Sequence, residues 1–102
     1  MKPMPPIDIT SEETAIVQSI LLRLIPNYKV GVFGSRVTGK ARKYSDLDLV
    51  VMTEKPLDFD VYSSLKEAFS ESTLPFKVDI VDWAATEDNF KKIIEQQRVF
   101  IQ

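Results

Sequence analysis

Gly34-Ser35, followed after ten residues by Asp46-Leu47-Asp48, is the grouping in this sequence best suited to chemistry. On a strand, residues two apart share a face, with Cα atoms roughly 6.5–7 Å apart. Carboxylates so placed can converge on divalent cations held about 3.5–4 Å apart. Oxygen ligands without His or Cys select Mg²⁺ or Mn²⁺ over zinc. Mg²⁺ shares its shell between one or two carboxylates and substrate phosphates, so the expected substrate carries phosphate. Gly34 lets the backbone approach a ligand closely. Free N–H groups at a helix start, together with the Ser35 hydroxyl, are donors for phosphate oxygens. Taken singly, Asp-x-Asp reads as the solvated face of an edge strand and Gly-Ser as an ordinary turn. Only their combination places a phosphate cradle beside a cation site.

Composition narrows the chemistry further. The 102 residues include neither cysteine nor histidine. Disulfides, thiolate sites, the common zinc sites and His-dependent nucleophilic machinery are therefore excluded. What remains is carboxylates, hydroxyls, Lys, Arg or a hard metal. The absence of cysteine suits a reducing cytoplasm, the expected location. A net charge of −2, from 13 basic and 15 acidic residues, predicts no strong nonspecific grip on nucleic acid or an anionic membrane. No secretory signal pattern or spanning apolar stretch is expected. The length predicts a single domain over 1–102 with a modest core, so its site should lie on an open face or be completed by a partner.

The elements that must position these residues follow from pattern. Pro3, Pro5 and Pro6 make 1–9 an extended, mobile lead-in. Thr10 and Glu13 form a capping box before a helix with Ile16, Val17, Ile20, Leu21, Leu24 and Ile25 at helical spacing, stopped by Pro26-Asn27. Lys29–Phe33 reads as a strand ended by the Gly34-Ser35 turn, and Arg36–Tyr44 as a short helical turn and a basic loop. Ser45–Met52 reads as a second strand, with Asp46 and Asp48 on one face and Leu47, Leu49 and Val51 on the other. Asp58 is a candidate cap for a helix carrying Val61, Leu65, Ala68 and Phe69. Phe76–Asp82 alternates as a third strand. Thr86 is the expected cap of a last helix with Phe90, Ile93 and Ile94 inward, before a short extended piece at Val99–Ile101. The fold class is α/β (α+β): a small mixed sheet flanked by helices, mainly on one face, leaving the other as a working surface.

Phe33-Gly34-Ser35-Arg36, Gly39, Ala41 and Ser45-Asp46-Leu47-Asp48-Leu49-Val50-Val51 resemble the signature of the DNA polymerase beta-like nucleotidyltransferases, in particular their minimal branch. The resemblance covers most of the chain. It implies a nucleotidyltransferase fold and a third metal carboxylate from a later strand. The matching position is Asp79, flanked by Val78 and Ile80, with Asp82 as the rival. An acidic residue in such a strand is costly without a partner or metal, although pairing with Lys77 or an exposed edge would also explain it. The resemblance implies that Asp46 and Asp48 bridge two Mg²⁺ ions and that Asp79 holds the ion activating an acceptor hydroxyl. Gly34, Ser35 and Arg36 would bind the triphosphate of ATP, although Arg36 equally suits an ordinary surface position. Lys40, Arg42 and Lys43 form a basic run that reads as a solvated loop or a lure for ATP. Many relatives carry a second arginine where this chain has Thr38.

The small members of the family resemble antitoxins paired with a HEPN-domain ribonuclease toxin. By that resemblance the chain is expected to transfer AMP from ATP to a toxin tyrosine. The alternative is a non-catalytic nucleotide-binding subunit that neutralises or completes a partner by contact. Direct action on nucleic acid is not expected.

Overall fold

The structure, a computed structural model, describes residues 6–102. Pro3 and Pro5 of the expected lead-in lie outside these residues. α1 (Ser11–Leu24) begins on the expected reciprocal cap. The Thr10 hydroxyl accepts from the Glu13 N–H at 3.0 Å, and the Glu13 carboxylate accepts from the Thr10 N–H at 2.9 Å. Two backbone donors that a helix start leaves orphaned are thereby satisfied. Val17, Ile20 and Leu21 form its buried stripe, and Ile25 closes it just before Pro26.

The remaining elements are β1 (Val30–Phe33), α2 (Ser35–Thr38), β2 (Leu47–Val51), α3 (Phe59–Glu71), β3 (Val78–Asp82), a 3₁₀ turn (Trp83–Ala85), α4 (Asp88–Gln97) and β4 (Val99–Phe100). The sheet order is β3-β2-β1-β4. β1 runs antiparallel to β2 and β4, whereas β2 and β3 are parallel. The sheet is therefore mixed, as expected. Parallel pairing needs a crossover connection, and α3 lies within it.

Strand alternation splits the apolar residues between two clusters. Val30, Val32, Leu47, Leu49, Val51 and Ile80 face α1 and α3 and form the main core with Val17, Leu21, Leu65 and Phe69. Phe33 and Val50 point the other way and pack with Ile94 of α4. Two helices thus cover one face, and α4 covers part of the second.

Several local expectations change. β2 begins at Leu47, leaving Asp46 just outside the strand. Asp58 occupies the N-cap position of α3 without a side-chain cap bond; its carbonyl accepts from the Tyr62 N–H at 3.0 Å. Glu87, not Thr86, precedes α4, because Thr86 ends the 3₁₀ turn and its hydroxyl donates to the Asp82 carbonyl at 2.7 Å. Of the α4 residues expected inward, Ile94 is buried, but Phe90 and Ile93 are 36% and 47% exposed. Phe90 does turn inward, its ring edge-on to Phe33 at 5.7 Å between centroids, but a single helix on a narrow sheet face leaves the flanks of its apolar stripe partly in solvent.

Leu49 is fully buried at the centre of the main core. Leu49→Ala is expected to destabilise the fold by about 2–5 kcal/mol. The check is a lower urea midpoint at unchanged m-value.

Candidate functional site

Gly34 closes β1 with φ 81° and ψ −156°, a conformation open to glycine. A Cβ there would overlap the Asp48 carboxylate. Glycine is therefore required twice, by torsion and by space. The Gly34 carbonyl accepts from the N–H groups of Val37 and Thr38 at 3.1 and 3.2 Å, winding the chain directly into α2. The turn is also tied from outside: the Gly34 N–H donates to Gln97 Oε1 at 2.8 Å. Ser35 opens α2, half-buried beside Gly34.

The parallel register brings the acidic residues together. Asp48 lies opposite Phe33 on β1 and opposite Asp79 on β3. Asp46, two residues before Asp48, shares its parity, so all three belong to the face that carries Phe33 and Val50 rather than the main core. Asp48 is half-buried, whereas Asp46 and Asp79 are exposed. Burial first, then the charges of Asp79 and Asp46, push the Asp48 carboxyl up from 3.8 to about 6. The three groups therefore repel within one field. Among the described residues, no three carboxylates are gathered closely enough to cage a metal alone. The donor set nevertheless fits a hard divalent cation: it consists of oxygens only, it carries mutual repulsion that a cation relieves, and it leaves room for phosphate ligands.

The rival, Asp82, is engaged elsewhere. It lies opposite Val51, and its carboxylate accepts from the Thr53 hydroxyl and from the N–H groups of Leu57 and Ala84 at 2.6 and 3.2 Å. Asp82 ties the loop after β2 to the 3₁₀ turn. Among the described residues Asp79 is ion-paired with Lys77 alone, at 3.9 Å, and the side chains are 53% and 73% exposed. So exposed a pair contributes little, and it leaves the Asp79 carboxylate accessible.

Arg36 requires a correction. Expected at the triphosphate or on the surface, it is instead 6% exposed, and its donors are spent on backbone. Nε and Nη2 donate to the Ser45 carbonyl at 3.0 and 2.8 Å, Nη1 to the Asp8 carbonyl at 2.8 Å, and Nη2 also to Lys43 and Arg42 at 3.2 and 3.5 Å. The guanidinium lies 4.2 Å from the Phe76 ring centroid. Carbonyl dipoles and the ring face offset the cost of burying the charge. Arg36 thus fastens the loop that leads into Asp46. It also fastens the expected lead-in: the Asp8 N–H donates to the Arg36 carbonyl at 2.6 Å, and Ile7 and Ile9 pack on the core. Lys40, Arg42 and Lys43 run along the outer side of that loop. The sequence reading missed Gln97, whose helix-end position carries no local sign of a contact 63 residues away.

A four-stranded mixed sheet with a glycine turn after its first strand and acidic residues at the next two defines the α/β class of the domain. Residues 24–102 match the family described as "Polymerase beta, Nucleotidyltransferase", and the chain belongs to that family. Within it the chain falls in the minimal nucleotidyltransferase branch. It is 58% identical over 96 residues to the probable protein adenylyltransferase MntA of Haemophilus influenzae, covering 94% of this chain and 84% of that protein. It is 30% identical to the protein adenylyltransferase MntA of Thermococcus cleftensis, covering 72% and 73%. The fold is also that of a chain in a solved toxin-antitoxin structure with AMP-PNP (TM-score 0.73, 23% identity, 87% of this chain and 72% of that one). A chain in the complex of a tri-AMPylated Shewanella oneidensis HEPN toxin with an MNT antitoxin shares it too (TM-score 0.68, 21% identity, covering 92% and 72%).

Two expectations follow from the site. Arg36→Lys removes the fork that reaches several carbonyls at once, and is expected to destabilise the chain by about 2–4 kcal/mol, measured by urea unfolding. For Asp48, the unfolded chain ionises near 3.8 while the fold retains the proton to about 6. Its contribution to metal-free stability therefore falls as pH rises between those values and stays unfavourable above them. Asp48→Asn is expected to raise metal-free stability above pH 6 by roughly 1–2 kcal/mol, after allowance for solvent screening, and to lose that gain near pH 4. Urea midpoints across pH, in the presence of a chelator, test the sign.

Proposed function

We propose that the chain is a Mg²⁺-dependent protein adenylyltransferase of the cytoplasm that transfers AMP from ATP to a tyrosine of a cognate HEPN ribonuclease toxin, and so acts as its antitoxin. The observation that carries this reading is the register of Asp48 against Asp79 beside the Gly34 turn. The 58% identity to a probable protein adenylyltransferase supports the reaction class. The AMPylated toxin in a solved complex of like fold supports the acceptor.

Asp46, Asp48 and Asp79 would hold the metal, which supplies charge neutralisation for the triphosphate and a lowered pKa for the acceptor hydroxyl. The Ser35 hydroxyl and the turn around it orient the phosphates. Gly34 keeps that turn against Asp48, so phosphate and carboxylates meet at one place. Asp79, on the exposed edge strand, borders the side open to an incoming protein. The acceptor oxygen bonds to the α-phosphorus as the bond to pyrophosphate breaks, pyrophosphate leaves, and the hydroxyl proton passes to solvent at the open face. The open site suits a protein acceptor, whose own surface would exclude water.

The test incubates the purified chain with Mg²⁺, α-labelled or γ-labelled ATP and the cognate HEPN protein. Label is expected to move to that protein from α-labelled ATP only. Asp46→Asn combined with Asp48→Asn should lower transfer by at least about 100-fold yet leave partner binding intact. A partner silenced equally by the double variant, with no label transferred, would favour neutralisation by contact.

A further inference from the structure

We infer that Gln97 is a positioning residue for the nucleotide. Its side-chain oxygen holds the Gly34 turn in the form that receives the triphosphate. The inference rests on the nucleotidyl-transfer reading and adds to it a residue outside the Gly-Ser and carboxylate motifs.

Three features meet at Gly34. Its torsion lies in a region that favours glycine. Its Cα stands so close to Asp48 that no side chain fits between them. Its N–H, left free by the end of β1, is taken by Gln97 Oε1 at 2.8 Å. Without that acceptor the turn would be held by its own bonds into α2 and by its close approach to the Asp48 side chain. Gln97 is the last residue of α4, and β4 follows it after Arg98. β4 in turn pairs with β1, Gly31 with Phe100 and Val32 with Val99. The acceptor is thus mounted on an element fastened to the same strand as the turn, and its position relative to Gly34 is fixed.

Gln97 is also suited to the task chemically. A carboxylate in its place would accept the same bond but add a negative charge beside the phosphates. The neutral amide accepts from Gly34 without that repulsion. With the Gly34 N–H so engaged, the next donors along the turn are the N–H and hydroxyl of Ser35. Gln97 therefore acts before the chemical step. It sets the shape of the turn and touches none of the reacting atoms, so its loss should appear in nucleotide affinity and not in turnover.

The experiment compares the whole chain with Gln97→Met, which keeps shape but removes the oxygen, and Gln97→Glu, which keeps an acceptor and adds charge. Amide hydrogen exchange at Gly34 is read by NMR, AMP-PNP affinity with Mg²⁺ by calorimetry, and transfer to the cognate HEPN protein by KM and kcat for ATP. Gln97→Met is expected to speed Gly34 exchange several-fold, weaken AMP-PNP roughly 3- to 10-fold, and raise KM by a similar factor with kcat within about twofold. Gln97→Glu should retain slow Gly34 exchange yet weaken AMP-PNP. Unchanged or tighter AMP-PNP binding in Gln97→Met would overturn the inference alone. A wild-type chain that binds no AMP-PNP would overturn the nucleotide reading, and this inference with it.

Discussion

Parallel pairing of β2 with β3 aligns Asp48 with Asp79, and much of the structure serves to hold that alignment against its own repulsion. Like charges on adjacent strands oppose the pairing. The opposition is overcome from the other side of the same strands, where Leu47, Leu49, Val51 and Ile80 are buried beneath α1 and α3. A one-residue slip would exchange the two faces, sending carboxylates into the core and leucines into water. The apolar pattern that stabilises the sheet therefore also determines where the charges stand. Conflict between charge and burial is confined to Asp48, the half-buried member of the three.

Two irregular segments of the chain are fastened by single side chains bonded within the fold. Arg36 gathers the carbonyls of Asp8, Arg42, Lys43 and Ser45 around one guanidinium, and Asp82 gathers Thr53, Leu57 and Ala84 around one carboxylate. Each converts an irregular stretch with few backbone partners of its own into a fixed connection. A chain of this length has little apolar area to spare, and these polar hubs, the buried Arg36 and the part-buried Asp82, replace part of what a larger core would provide.

The sequence made the acidic residues conspicuous because Asp46 and Asp48 sit at strand spacing after a glycine turn, and because Asp79 interrupts an apolar strand. The α1 cap was legible for the same reason: Thr10 and Glu13 need only each other. Arg36 was not legible. Its type and position look the same whether the guanidinium turns toward a phosphate or toward its own loop, and only tertiary closure decides. Phe90 and Ile93 followed a helical stripe, but how much of a stripe is buried depends on the width of the surface opposite. The apolar flanks of Asp79 already favour it over Asp82 in the sequence, but the bonds that tie Asp82 to Thr53, Leu57 and Ala84 join segments distant along the chain and carry no local sign.

The order in which these parts occur along the chain has its own consequence. A polypeptide leaving the ribosome exposes Gly34 first, then Asp46 and Asp48, then Asp79, and only later Gln97 and β4. Asp48 and Asp79 are brought together by β2 and β3 alone, whereas the glycine turn depends on an acceptor 63 residues further along the chain. In chain order the acidic positions therefore precede the residue that ties the glycine turn, and the turn is complete only when the last helix and the last strand are in place.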